Sequence, residues 1–216
     1  MLVSTDRILS ALVETLQMVT ISFVFSILLG IPLGVLLYVT RNGGILEEKI
    51  TFTILSFVIN ILRSIPFIIL LVAIIPFTRL IVGSSIGTAA AIVPMVVYAG
   101  PYVARLVESS LLEVDDGVLE AADAMGATPL QTIFRFVIPE ALGSLIVNFT
   151  IATIGLVGAS AMAGTVGGGG IGDLAITYGY QRFDGMTMLV TVVILVVLVQ
   201  GLQSLGNGLS RIVRRK

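Results

Sequence analysis

The chain has 216 residues, of which 56% are apolar and 12% charged, with a net charge of −1 and a mean hydropathy of +1.10. A soluble domain carries about twice that share of charge, and one core of this size buries only about 70% of the chain's accessible surface, so a water-soluble enzyme is excluded. What remains is a single membrane domain, residues 1–216, with little chain outside the bilayer.

A membrane-crossing helix needs about 20 apolar residues in sequence. The first predicted span runs from Leu12 to Tyr38 and ends at the turn-forming stretch Arg41 to Lys49; it is too long for a signal-peptide core and lacks a cleavage signature, so it is expected to be retained. The second lies within Thr51 to Ile75. The third runs from Ser84 to Leu112, interrupted by Pro94 and the Gly100-Pro101 pair. A polar segment, Glu113 to Ile138, precedes the fourth span, Leu142 to Val166, and the fifth runs from Met186 to Leu209. Five crossings put Arg41, Lys49, Arg135 and the tail residues Arg211, Arg214, Arg215 and Lys216 on one side, against Arg7, Arg79 and Arg182 on the other. The positive-inside rule then makes the carboxyl terminus cytoplasmic and the amino terminus external.

The chain has no His, Cys or Trp. It therefore carries no imidazole base, thiol nucleophile, disulfide, or His or Cys metal ligand, and its near-neutral charge leaves no basic field for nucleic acid.

The polar segment has the local chemistry of two short helices meeting at a sharp corner. Asp115 and Asp116 suit an N-cap, Val118, Leu119, Ala122 and Met125 form an apolar stripe, and Gly126 fits the left-handed position after a helix. Thr128-Pro129-Leu130-Gln131 forms a capping-box pattern with proline in the first helical position. Ile133, Phe134, Val137 and Ile138 give the second helix its apolar side, Pro139 closes the segment, and Glu140 opens the next span. On these residues alone the insertion is either an interfacial connection or a docking element.

Glu120-Ala121-Ala122, three residues, Gly126, then twelve residues to Pro139 resembles the EAA signature of permease subunits of ATP-binding-cassette (ABC) importers. The family's isoleucine, any residue, leucine and proline correspond to Phe136, Val137, Ile138 and Pro139, with two apolar positions changed. Arg63-Ser64-Ile65-Pro66-Phe67, Ser160-Ala161-Met162-Ala163-Gly164 and the following glycine run are similar to the methionine-importer branch of that family.

The resemblance implies an all-α integral membrane protein of the type I ABC importer permease fold, with five transmembrane helices and a cytoplasmic coupling helix. It implies that Leu119, Glu120, Ala121, Ala122, Asp123, Met125, Gly126 and Pro139 couple the chain to a separate ATPase subunit, with Leu119, Ala122 and Met125 supplying most of the docking affinity. Its implied partners are a second copy of the chain, two copies of the ATPase carrying ATP and Mg, an extracytoplasmic substrate-binding (lipo)protein, and membrane lipid. No cofactor, metal or nucleic acid is expected on the chain itself. The implied cargo is methionine, L and D, and the implied location the bacterial cell (inner) membrane.

Two helix faces are candidates for a pathway. Thr53, Ser56, Asn60 and Arg63 share one; a cation at the bilayer centre costs at least about 2.5 kcal/mol, so Arg63 either lines a path or sits at the inner interface. Asn148, Ala152, Gly155, Ala159 and Met162 share the other. Small side chains there either allow close helix packing or line a path across a dimer, with Met162 as a flexible gate and Ser160 beside it. Gly167 to Gly172 contains the letters G-x-G-x-x-G but follows no strand, and is expected to be a flexible external loop meeting a delivery protein, with Asp173, Tyr178, Tyr180, Arg182 and Asp184 available. Pro32, Pro66, Pro94 and Pro101 suggest bent helices around a path.

The alternative is an ion- or proton-coupled secondary transporter of small solutes. Such proteins place acidic groups or His near the midplane, whereas no charge lies between Glu140 and Asp173 or between Asp184 and Arg211, and Glu14 and Glu108 fall near span ends. An intramembrane hydrolase is excluded, because the serines have no His partner. Without a G-x-x-x-x-G-K-S/T loop the chain is expected to be a permease subunit and not an enzyme.

Overall fold

The structure, a computed structural model, describes the backbone of residues 2–214; Arg215, Lys216 and the Arg214 side chain, all part of the expected basic tail, lie outside it. The described residues form α-helices with two π-helical stretches and no strand. Four helices are long and apolar enough to cross a membrane, and a bent pair can make a fifth crossing.

Helix α1, Thr5–Thr40, starts where the Ser4 hydroxyl accepts the Arg7 N–H and runs on through Pro32. Its most extensive contact is with α5, Thr88–Leu112. Ser22, Ser26, Gly30 and Gly34, each four residues apart, are all buried in that contact face. A Cβ on Gly30 would lie 2.5 Å from Val103 Cγ1, and one on Gly34 2.5 Å from the Ala104 carbonyl oxygen. Lipid tails are as apolar as leucine, so close approach through small residues, and not hydrophobic gain, holds such a pair together. The predicted interruption of the third span does not occur: α5 is continuous through Pro94 and Pro101, both of which are buried among neighbouring helices. Packed neighbours make prolines tolerable in membrane helices.

The second predicted span is not one straight helix. Helix α2, Lys49–Ser64, and α3, Phe67–Ala73, meet at a 99° bend. Pro66 explains it, since the residue before a proline is pushed out of the helical region, and Ile65 is extended at φ −82°, ψ 121°. Helix α4, Ile75–Val82, follows. At its amino-terminal end α2 is capped by Glu48, whose carboxylate accepts the N–H groups of Ile50 and Thr51. Hydrogen bonding from Thr51 holds that carboxyl below its ordinary range, so the cap persists until pH falls beneath normal carboxylate values.

The polar segment forms α6, Asp116–Ala124, and α7, Pro129–Gln131. The chain does not stop at Pro139 as expected. α7 continues through a π-helical stretch, Thr132–Val137, into α8, Ile138–Gly164, so residues 129–164 form one long helix. The Ile138 N–H reaches back five residues to the Ile133 carbonyl, a wider turn next to the proline. After α8 come α9, Gly170–Leu174, a second π-helical stretch, Ala175–Tyr180, and α10, Gly185–Arg214.

The two larger of four apolar clusters fill most of the interior. One gathers Met18, Phe67, Leu71, Met95 and Leu156; the other, nearer the polar segment, gathers Tyr38, Val103, Val107, Ile133, Val137 and Leu145. Gly34→Val is expected to force α1 off α5, lowering the thermal unfolding midpoint in detergent by on the order of 5 °C, as overpacking of about 1–3 kcal/mol implies. Gly201→Val, where an added Cβ meets nothing within 4 Å, is expected to leave the midpoint unchanged.

Candidate functional site

The polar segment is built by local rules. The Asp115 carboxylate accepts the Gly117 N–H and starts α6. Gly126, at φ +69°, turns the chain in the left-handed region where an L side chain is strained. The Ala127 N–H then bonds the Ala122 carbonyl, and the Thr128–Gln131 capping box opens the next helix. These features stand where the sequence pattern puts them.

The outward face differs from the expected one. Ala122 is completely buried, and Leu119 packs against the inner apolar cluster with Ile133 and Val137. Ala122 is closed off from a partner, whereas Leu119 packs inward and stays partly exposed. Exposed on this segment are Glu120, Ala121 and Asp123 on α6, with Met125, Leu130 and Phe134 each more than 60% exposed. Pro139 is exposed within the continuous helix. Phe134, expected on the same apolar side as Ile133 and Val137, instead faces outward, and with Leu130 of the capping box it forms an exposed i, i+4 apolar pair.

The pathway candidates separate into two groups. On α8, Asn148 turns toward α5, where its amide donates to Ser110 Oγ at 2.7 Å and to the Leu106 carbonyl. Ala152 and Ala159 are buried, and Ser160, 1% exposed, donates to the Val157 carbonyl. Met162 is half exposed, and Gly155 and Gly158 are exposed on the same side. On α2, Thr53, Asn60 and Arg63 are exposed, and the Arg63 guanidinium lies 5.9 Å from the Tyr102 ring of α5. Arg63 occupies the last turn of α2, fourteen residues beyond Lys49, a rise of about 21 Å.

A further polar group was not foreseen. Arg105, two turns before the end of α5, pairs with Glu108 at 2.6 Å and also donates to Ser56 and Asn60 of α2. A single arginine inside an apolar run breaks no hydropathy window, which is why only its bonding partners reveal it.

The glycine run from Gly167 to Gly172 is packed, contrary to the flexible loop expected. The Glu14 carboxylate accepts the Gly170 N–H at 2.7 Å, Thr15 Oγ1 accepts the Ile171 N–H, and Ile171 and Leu174 are fully buried. Arg7 bridges Glu14 and Asp173, and Asp173 also accepts from Thr177. Asp184 caps α10 through Thr187; that hydroxyl, first among its bonds, pulls the carboxyl down to about 2. Tyr180 is exposed, while Tyr178 stacks under Arg182.

Residues 30–216 match the family model described as "Binding-protein-dependent transport system inner membrane component". The chain is 54% identical, over 96% of its length and 92% of the relative's, to a protein of Vibrio cholerae named "Probable D-methionine transport system permease protein MetI". It is 46% identical, over 91% of both chains, to a protein of the same name from Pasteurella multocida. Its structure superposes with a TM-score of 0.95, at 47% identity and over 98% of this chain and 99% of the other, on a chain from an inward-facing form of the MetNI methionine ABC transporter. With an all-helical fold, the coupling-type segment and these relatives together, the chain belongs to the binding-protein-dependent transport system inner membrane component family, the permeases of ABC transporters.

Proposed function

We propose that this chain is the transmembrane half of an ATP-driven importer of methionine in its L and D forms. Two copies form the pathway, two copies of an ATPase subunit supply ATP and Mg chemistry, and an extracytoplasmic binding protein delivers the cargo. The observation that carries this reading is the segment from Asp115 to Phe134: a short capped helix turned by Gly126, with Met125, Leu130 and Phe134 facing outward and Ala122 anchoring it. A surface of this kind, carried directly on two long membrane helices, suits the transmission of motion from a soluble partner. Glu120 and Asp123 on its rim fit basic groups, each pair contributing less than about 1 kcal/mol.

The coupling segment and the carboxyl terminus then face the cytoplasm, and the amino terminus and glycine run face outward, where Tyr180 and its neighbours meet the binding protein. The exposed polar face of α2, with Asn60 and Arg63, lines the pathway, because a cation and an amide exposed on a membrane helix belong next to water or a second copy. Met162 serves as the adaptable apolar constriction. Ala159 and Ser160 support it from the packed side of α8. A coupled secondary transporter is not favoured: Glu108 is committed to an ion pair with Arg105, and no charge lies between Glu140 and Asp173 or between Asp184 and Arg211.

Gly126→Val tests the coupling segment. Left-handed strain of about 1–2 kcal/mol tilts the corner, so uptake into proteoliposomes should drop at least about fivefold while the chain still inserts. Unchanged uptake by an intact complex would contradict the assignment. Asn148 is expected to act in packing: Asn148→Leu should destabilise the chain by about 0.6–1.7 kcal/mol in detergent without altering the KM of uptake. A changed KM with an unchanged unfolding midpoint would return Asn148 to the pathway.

A further inference from the structure

Helix α2 meets the rest of the fold chiefly through α1 and α5. Its contact with α1 is apolar, made by Phe52, Leu55 and Ile59 against Leu33 and Leu37. Among the described residues, the side-chain hydrogen bonds between α2 and another helix all end on Arg105. One terminal nitrogen of the guanidinium, Nη1, donates to Glu108 Oε2 at 2.6 Å; the other, Nη2, donates to Ser56 Oγ, to the Ser56 carbonyl at 3.3 Å and to Asn60 Oδ1 at 3.1 Å. The Glu108 side chain is 9% exposed and that of Arg105 19%. One turn away, Tyr102 of α5 lies against Arg63 of α2. Two consecutive turns of α5 therefore grip the last turns of α2.

Stability alone does not account for such a group, since replacing a buried ion pair by well-packed apolar residues is often neutral or stabilising. The geometry instead uses what arginine has and lysine lacks, a planar fork that can hold two elements at once. Glu108, on the next turn of the same helix, fixes the plane of the fork and aims its second arm at α2. The two ends of this tie lead to different machinery. Arg105 is seven residues, about 10 Å, from the end of α5, and the coupling helix α6 begins four residues further on. Asn60 is five residues before Ile65, where the chain bends by 99°.

We propose that Arg105, aimed by Glu108, is a positioning residue that makes α2 and its polar face follow α5 when the coupling segment moves. This rests on the importer reading given above. Losing the tie leaves the coupling segment and its partner surface intact but lets the pathway face lag behind them.

The chain has no cysteine, so two introduced ones can be spin-labelled without background. Ile54→Cys on α2 and Ser109→Cys on α5 are both at exposed positions. The assembled complex carrying this pair is reconstituted with its ATPase subunit and binding protein, and the label distance is compared without nucleotide and with a non-hydrolysable ATP analogue. With Arg105 present, the α2–α5 distance is expected to stay the same in both states. Arg105→Lys keeps the charge and the Glu108 pairing but not the second arm. In it the distance should broaden and shift between states, and methionine imported per ATP hydrolysed should fall about tenfold. The complex with unaltered Arg105 is the control for the importer reading itself: if it accumulates methionine with ATP, a null result for Arg105→Lys counts against the tie alone. A distance that changes between states with Arg105 present, or an Arg105→Lys complex with unaltered distance and transport ratio, would overturn the proposal.

Discussion

Where α1 crosses α5, Ser22, Ser26, Gly30 and Gly34 bring two helices closer than larger side chains would allow. In lipid this closeness has to come from dispersion between packed atoms, because burying apolar surface against protein gains little over burying it against acyl chains. The other elements are arranged around this pair. The bent α2–α3 unit leans on it, α8 packs across α5, and the amino-terminal end of α1 holds the glycine run through Glu14 and Thr15. At the other end, the inner apolar cluster joins α1 and α5 to the helix that leaves the coupling segment, with Leu119 reaching in from α6. A movement of that segment is therefore a movement of the central pair.

The polar groups follow a second constraint. With little water at membrane depth, amides and charges need partners within the protein, and unpaired ones are costly. Asn148 bonds Ser110, and Arg105 bonds Glu108, Ser56 and Asn60. The groups left outward-facing on one chain, Asn60's neighbours Thr53 and Arg63 on α2 and Met162 with its adjacent glycines on α8, are those that a second copy or a wet path would meet. On the proposed reading, the exposed polar or adaptable groups mark where cargo passes, while Asn148 and Arg105 spend their bonds on helix packing.

Local chemistry made the coupling segment legible in the sequence. Asp115, Gly126 and the Thr128–Gln131 box each act within four residues of themselves, so their roles follow from spacing. Hydropathy likewise found the apolar bodies of α1, α8 and α10, although α1 begins seven residues before Leu12 and the helix containing α8 begins at Pro129. What depended on distant partners was not legible. Ala122 belongs to a helical stripe that the sequence leaves facing outward, yet it is fully buried where α6 packs against residues 132–137. The glycine run looked flexible because the carboxylate that ties it down lies 156 residues earlier in the chain. Proline proved ambiguous in the same way: Pro66 breaks a span, while Pro94 and Pro101 sit within one continuous helix. Arg105 lies in a helix identified from hydropathy, but its importance comes entirely from Ser56 and Asn60, some 45 residues away.

The central claim is that this chain converts ATP-driven motion of a partner into passage of methionine. Its most direct test is uptake of labelled methionine into proteoliposomes holding the purified chain with and without its ATPase subunit and binding protein. The account predicts accumulation against the gradient only when both partners and internally or externally supplied ATP at the ATPase face are present, and none from a proton or sodium gradient alone. Accumulation driven by an ion gradient in the absence of ATP would contradict it.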